Sequence, residues 1–551
     1  ATNSLRVNTH LALKRIYYQH LIFNLAGSLF KFFMIPLLIP ITLMGQSGLS
    51  KNDLVNALGC GNCHSGIQGS TVINKNAPDL SYSGLKYNEA YLYDYLKSPQ
   101  TVRQHIGNSR MPNFQFSDDE AYALTIFLMS KVSLPKERVL KKRRYKSNEN
   151  TFALINTEYQ CTACHSLNGS GNNKSIDLSL AGRRLKPEWL FDIILKPSAY
   201  VPRASPMPTF FNEDKEAYEK ISEIVGYLKD LDGPSLDKLN SHYKKVSKEN
   251  STITLEMGQK IFLSQNCMAC HNMETEESWF FSHNAPDLSA QKMKTKPDWL
   301  KKYLYQPSPI RPNGYFPGTG SRMPNFNLSE NEVEEISQWL GSASLKTKLK
   351  PISAFQTRKV ERLLNDFLPC LGCHELNGKG GQIGPSLSNT GNRLFDGYIK
   401  MAIQAPHMVM PESIMPKTAM DPKLMPLIQS YFSNRTNEEQ VEYLNLIKHK
   451  PYPISNQYSS TCAPCHGLNG QGKGFNAEYL PVAPGNLADG NVIGQRADHT
   501  LFETIYGGGR IMNKSHFMPG WGEKLSREEI VNHVSQIRKF CECSPPEWSK
   551  N

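Results

Sequence analysis

Apolar residues are scarce in this chain. Only 39% of its 551 residues are hydrophobic, low for such a length. A chain this long predicts several domains, and each must fill its interior with something besides side chains. Free cysteine is nearly absent too. Of twelve cysteines, ten fall in five copies of one motif and only Cys541 and Cys543 lie outside it. No separate ligand pair is left to complete a zinc site, because every candidate pair is itself a copy of the motif. The glycine-rich run Gly470-Gln-Gly472-Lys-Gly474 has no strand before it, which excludes a dinucleotide fingerprint. Long apolar stretches are limited to Leu21–Leu43.

What is present is C-x-x-C-H. The copies are Cys60-Gly-Asn-Cys63-His64, Cys161-Thr-Ala-Cys164-His165, Cys267-Met-Ala-Cys270-His271, Cys370-Leu-Gly-Cys373-His374 and Cys462-Ala-Pro-Cys465-His466. This pattern is the signature of covalent c-type haem attachment. Two thiols add across the two vinyl groups of one macrocycle, and the adjacent imidazole faces the iron from the proximal side. Five copies predict five covalently attached haem c groups.

Each motif is followed by a Met-Pro pair: Met111, Met207, Met323, Met415 and Met518 lie 47, 42, 52, 41 and 52 residues beyond the motif histidines. A thioether is a soft, neutral ligand, and His/Met ligation raises the reduction potential of haem iron. The proline fixes φ and has no N–H, so it stiffens the strap carrying the ligand. These five methionines are the expected distal ligands. In the fourth repeat His407 and Met410 are rivals to Met415, and in the fifth His516 and Met512 lie close to Met518.

The first motif cysteines are spaced 101, 106, 103 and 92 residues apart. The expected division is an N-terminal segment 1–47 and five domains at 48–145, 146–247, 248–347, 348–450 and 451–551. The third repeat is the most complete. Leu255–Gln265 reads as a helix leading into the motif, and Ala285-Pro-Asp-Leu288 follows it. Asp298-Trp-Leu300 marks a second helix, Arg322-Met-Pro-Asn-Phe326 carries the distal ligand, and Ser329-Glu-Asn-Glu332 opens a last helix with a capping box. The first repeat has the same set, with Ala77-Pro-Asp-Leu80 and Arg110-Met-Pro-Asn-Phe114. The second departs: Ser175-Ile-Asp-Leu178 has no proline, so the partner of His165 is open, and Asn168–Asn173 reads as a polar loop.

This unit resembles the single-haem cytochrome c family. The resemblance implies an all-α fold, with five tandem cytochrome c-like domains after one N-terminal transmembrane helix. It implies that the first and last helices of a domain cross, with Gly258 and Trp339 as the small and aromatic partners in the third. It further implies that the Pro286 carbonyl accepts from Nδ1–H of the motif histidine in that domain.

The run Leu21–Leu43 is 23 residues, long enough to span, and follows Arg6, Lys14 and Arg15. Lys31 divides it and leaves only Phe32–Met44 free of charge, which resembles the apolar core of a signal peptide. The expectation is an uncleaved anchor with the haem domains on the periplasmic side of the inner membrane; a cleaved signal is the alternative. The formal charge is +12, but five haems bring roughly ten propionate charges, partly offset when the irons are ferric, so no nucleic-acid partner is expected. The basic run Lys136–Lys146 reads as a solvated linker, with an anionic lipid or an acidic partner as the sharper alternatives. Cys541 and Cys543 could bridge through a small strained ring, stay free, or link to another subunit.

Five His/Met haems leave no open position, so the expected function is electron transfer, not catalysis. The resemblance to anchored cytochrome c subunits of cytochrome bc-type complexes implies a subunit of a quinol-oxidising respiratory complex. Its partners would be the other subunits of that membrane complex, and its acceptor a soluble cytochrome or an oxidase. The alternative is a multihaem oxidoreductase of the peroxidase or nitrite reductase kind, with one open haem near His407.

Overall fold

The computed structural model describes residues 51–65, 77–102, 107–135, 138–200, 207–231, 233–271, 273, 285–315, 317–343, 347–418, 420–437, 441–449 and 456–550. Residues 1–48 form a unit of their own, outside the described residues, and 49–551 form a second unit. The spanning helix expected over Leu21–Leu43 is not upheld. No helix among the described residues is long and apolar enough to cross a membrane, and 21–43 lies outside them. By sequence, Lys31 leaves only thirteen charge-free residues in that run, fewer than a hydrocarbon core needs.

The described residues are helical apart from two small hairpins. Helices α1 (Lys51–Leu58), α2 (Glu89–Lys97) and α3 (Asp118–Met129) come first. The second repeat supplies α4 (Pro187–Leu195) and α5 (Lys215–Asp230), followed by an additional helix α6 (Gly233–Glu249). The third supplies α7 (Leu255–Ser264), α8 (Pro297–Tyr305) and α9 (Glu330–Leu340). The fourth has α10 (Ala354–Asp366), α11 (Asp396–Gln404) and α12 (Met425–Ser433). The fifth has α13 (Asp498–Gly507) and α14 (Arg527–Cys541).

Local chemistry sets these boundaries. Capping boxes open α3 (Ser117/Glu120), α9 (Ser329/Glu332) and α14 (Ser526/Glu529). Proline occupies the first turn of α4 and α8, where no N–H is needed. The polar loop expected after the second motif is instead a hairpin, Ser166–Leu167 with Ser170–Gly171, turning at Asn168 and Gly169 with φ 50° and 78°. An Asn-Gly pair suits such a turn because both residues must enter left-handed conformation. Glu375–Leu376 and Lys379–Gly380 repeat it after the fourth motif, through Asn377 and Gly378.

The first and third repeats exchange their leading helices. Leu54, Val55 and Leu58 of α1 pack with Leu300, Leu304, Leu328, Val333 and Ile336 of the third repeat. In return, α7 packs on α3 of the first. Gly258 faces α3 so closely that a Cβ there would lie 2.0 Å from the Ala123 carbonyl oxygen, and the Phe127 and Phe262 rings are 5.3 Å apart. The expected Gly258–Trp339 crossing is therefore corrected: Gly258 meets Ala123 and Phe127, while Trp339 joins the cluster around α1. Both repeats offer the same type of apolar seat, so either leading helix can complete either core.

The two straps lie between these repeats and are clasped to one another. The backbone N–H of Asn113 donates to the Asn325 carbonyl and that of Asn325 to Asn113, both at 2.7 Å. Arg110 binds Glu332 at 2.6 Å, and Arg322 binds Glu120 at 2.7 Å. Each arginine of one strap thus reaches the capping-box glutamate of the other repeat.

Two further junctions share one design. Lys186 N–H donates to the Lys86 carbonyl at 2.9 Å and Asn88 N–H to Arg184 at 3.0 Å, joining the first repeat to the second. Lys296 N–H donates to the Arg393 carbonyl at 2.9 Å and Phe395 N–H to Lys294 at 3.1 Å, joining the third to the fourth. Helix α6 braces the first repeat through Tyr243, whose hydroxyl donates to Glu89 at 2.8 Å. The basic stretch is not solely a solvated linker: Arg143 lies over Phe191 at 4.4 Å and Arg138 pairs with Asp192.

Arg322 and Glu120 are only 3% and 1% exposed. Glu120→Ala strands a buried guanidinium, which costs about 3–5 kcal/mol. Lys215→Ala, at a pair whose lysine is 93% exposed, should cost under about 1 kcal/mol. Urea unfolding of the oxidised protein checks this, and equal midpoints for the two variants would refute the clasp.

Candidate haem sites

Each motif is one tight turn. The residue before it enters left-handed conformation at Gly59, Gln160 and Asn266, with φ of 70°, 49° and 53°. The histidine N–H then reaches back to the first cysteine carbonyl, at 3.0 Å for His64 and His271 and 2.9 Å for His165, His374 and His466. This geometry sets both thiols along one edge with the imidazole just beyond.

Every motif histidine donates Nδ1–H to a backbone carbonyl, since a carbonyl can only accept. The acceptors are Pro286 for His64 (2.8 Å), Ile176 for His165 (2.6 Å), Pro78 for His271 (2.8 Å), Pro385 for His374 (2.7 Å) and Gly485 for His466 (2.9 Å). That bond selects the tautomer, orients the ring and leaves Nε2 free to ligate. The implied pairing of Pro286 with His271 is corrected: exchange of the leading helices gives Pro286 to His64 and Pro78 to His271. In the second repeat a carbonyl serves without proline, because only the oxygen takes part.

A continuous cavity of about 2710 Å³ runs past all five motifs. Met111, Met207, Met323, Met415 and Met518 line it, and so does Met410. His407, Met512 and His516 are not among its lining residues. His407 is instead 3.5 Å from Lys524 Nζ. Cys60 packs in the same cluster as Met323, and Cys267 in the same cluster as Met111.

The surroundings fit a large, partly anionic occupant. Burial pushes the thiols of Cys60, Cys63 and Cys267 up to about 12 and those of Cys370 and Cys462 to about 11. Thiolate is penalised there, whereas a thioether carries no charge to desolvate. Burial, with help from Arg311 and Arg393, lowers His374 to about 4, so its imidazole stays neutral. Cations crowd beside the cavity. Burial, then Arg311 and Arg393, pushes Lys294 down to about 7, and burial with Arg311 pushes Arg393 to about 10. The Nε atoms of Arg184 and Arg393 and the indole N–H of Trp189 are buried without a hydrogen-bond partner. Carboxylates at the cavity edge would meet those needs. Gly384 completes the cradle, since a Cβ there would lie 2.4 Å from Cε1 of His374.

Two clusters escaped the sequence reading. Asn62 Nδ2 lies 3.6 Å from Cys270 Sγ, so the first and third motifs are neighbours. Asn476 Nδ2 donates to the Gly372 carbonyl at 2.9 Å and to Cys465 Sγ at 3.2 Å, which joins the fourth motif to the fifth. The junction cations Lys86, Arg184, Lys294 and Arg393 were missed as well. Their signal was legible, because each ends a four-residue helical turn, SGLK, AGRR, QKMK and TGNR. Cys541 and Cys543, left open by sequence, form a disulfide.

Residues 255–344 match the family described as Cytochrome c. Residues 453–535 match that described as Cytochrome C oxidase, cbb3-type, subunit III. Both matches support a c-type cytochrome. No curated protein matches it, and no solved structure does. These cytochrome c domains carry covalently bound haem c and transfer electrons through it. In this cytochrome the match over 255–344 is contiguous along the chain, whereas α7 within it packs on α3 of another repeat.

Gly384→Val should drive the His374 ring off its position. The expected outcome is a high-spin ferric signal from a single haem in electron paramagnetic resonance. An unchanged low-spin spectrum would refute the cradle.

Proposed function

We propose that this cytochrome is a five-haem electron carrier with His/Met ligation at every site. The observation that carries the reading is that five Met-Pro straps and five motif histidines line one cavity. In the sites built by exchange, His64 stands with Met323 and His271 with Met111. The others pair His165 with Met207, His374 with Met415 and His466 with Met518. Bound haem iron supplies one-electron chemistry, at a potential raised by the thioether ligand.

The residues of this chain do the rest. Five backbone carbonyls hold the imidazoles neutral and oriented. The prolines after Met111, Met207, Met323, Met415 and Met518 stiffen the straps. Buried arginines and lysines neutralise carboxylates at the cavity edge, and the apolar clusters keep water away from the ligands. Where a histidine and a methionine both hold the iron, no position would be left for substrate, and the chemistry supplied would be electron transfer. The reading of the fourth site as an open reaction centre lacks support, because His407 does not line the cavity and Met415 does.

The carrier would serve a quinol-oxidising respiratory complex and deliver to a soluble cytochrome or an oxidase. The likeness of 453–535 to a subunit of a cbb3-type oxidase supports an oxidase-facing role for the fifth repeat. Placement outside the cytoplasm is supported by the Cys541–Cys543 disulfide, which suits an oxidising space.

Near-infrared magnetic circular dichroism of the oxidised protein, with total haem measured on the same sample, tests this reading. Five haems per chain, all low-spin with the Met–iron charge-transfer band, are expected. A bis-His or high-spin fraction would overturn it. Met415→Ala should remove a fifth of that band and open one iron to carbon monoxide.

A further inference from the structure

The junctions between sites are of two kinds, and they alternate. The first kind presents cations from both sides. Lys86 and Arg184, 8% and 7% exposed, flank the bridge between Tyr87 and Leu185, one from each repeat. Lys86 Nζ lies 4.7 Å from the centre of the Trp189 ring in the second repeat, and Arg184 lies 5.9 Å from that of Tyr91 in the first. Lys294 and Arg393 repeat this arrangement across the bridge between Thr295 and Leu394. The second kind brings motif cysteines together. Asn62 touches Cys270 at 3.6 Å, and Asn476 spans Gly372 and Cys465.

Following the contacts from one end gives a single path. The second motif sits in the repeat joined by the Lys86/Arg184 junction to the seat of the third motif. The third motif abuts the first through Cys270 and Asn62. The seat of the first is joined to the fourth repeat by the Lys294/Arg393 junction, and the fourth motif abuts the fifth at Asn476. We infer that electrons pass through the sites in the spatial order second, third, first, fourth, fifth motif, which is not their order along the chain. The terminal sites are those of Met207 and Met518, and the site of Met111 is an internal relay. This order rests on the proposed His/Met reading.

Chemistry favours the alternation. A macrocycle bonded through its thioethers would present that edge at the cysteine junctions. Its carboxylate edge would then fall at the cation junctions, where four positive groups, Lys86, Arg184 and Arg393 buried and Lys294 half-buried, would offset up to four negative charges. Each transfer oxidises one ferrous iron to ferric and reduces its neighbour from ferric to ferrous, with no bond formed or broken.

The order is tested on the full-length holoprotein with Met111→His and Met207→His. Histidine keeps each haem six-coordinate but lowers its potential, and about 59 mV corresponds to a tenfold change for one electron. A photoreductant supplies less than one electron per protein, and spectral relaxation among the haems is followed. Met111→His should add a relaxation phase slowed at least tenfold, because an internal relay has been lowered. Met207→His should isolate one haem while the other four relax together. The reverse pattern, or the same response in both variants, overturns the order. If Met111→His fails to load haem, Cys161→Ala/Cys164→Ala remains decisive: loss of a terminal haem should leave four that relax as one pool, and two separated pools would overturn the proposal. In both histidine variants the Met–iron band must fall by a fifth; if it does not, the ligand reading has failed and not the order.

Discussion

The clasp between the two straps governs the rest of the molecule. Glu120 and Glu332 each close the first turn of a helix and bind an arginine from the opposite repeat. A carboxylate used twice in a dry setting is costly to disturb, since losing either partner leaves a stranded charge. The clasp fixes where Met111 and Met323 stand, because each methionine directly follows a clasped arginine. It also sets the first and third repeats side by side, so each can receive the other's leading helix.

That exchange is the intramolecular counterpart of domain swapping. Similar repeats present similar apolar seats, and Leu54, Val55 and Leu58 fill one as Ile261 and Phe262 fill the other. The motif travels with its leading helix, so the histidine goes too. His64 and His271 therefore take their carbonyl partners from each other's segments, at equal distances of 2.8 Å. The exchange brings the thiols of the first and third motifs within reach of one another.

The alternation of junctions follows from a site having two unlike ends. Cysteines enter at one edge and cations stand at the other. Repeats that meet through short antiparallel bridges present like edges to like, as Lys86 with Arg184 and Lys294 with Arg393 do. Burial first, and then repulsion from Arg311 and Arg393 in a poorly solvated space, depresses Lys294 toward neutrality. Occupied sites would convert that repulsion into cohesion between repeats.

The sequence by itself determined the five C-x-x-C-H motifs and the five Met-Pro pairs. Cys-x-x-Cys-His and Met-Pro are local patterns, bound to a tight turn and a stiff strap, and the cavity lining includes all five candidate methionines. The capping box at Ser329 likewise marked a helix start, because a cap needs only four consecutive residues. Only the tertiary structure decided which motif meets which strap, that Gly258 faces Ala123 in place of Trp339, and that Asn62 and Asn476 sit between motifs. Those outcomes depend on competition among near-identical surfaces far apart in the chain, and no local pattern records which of them wins.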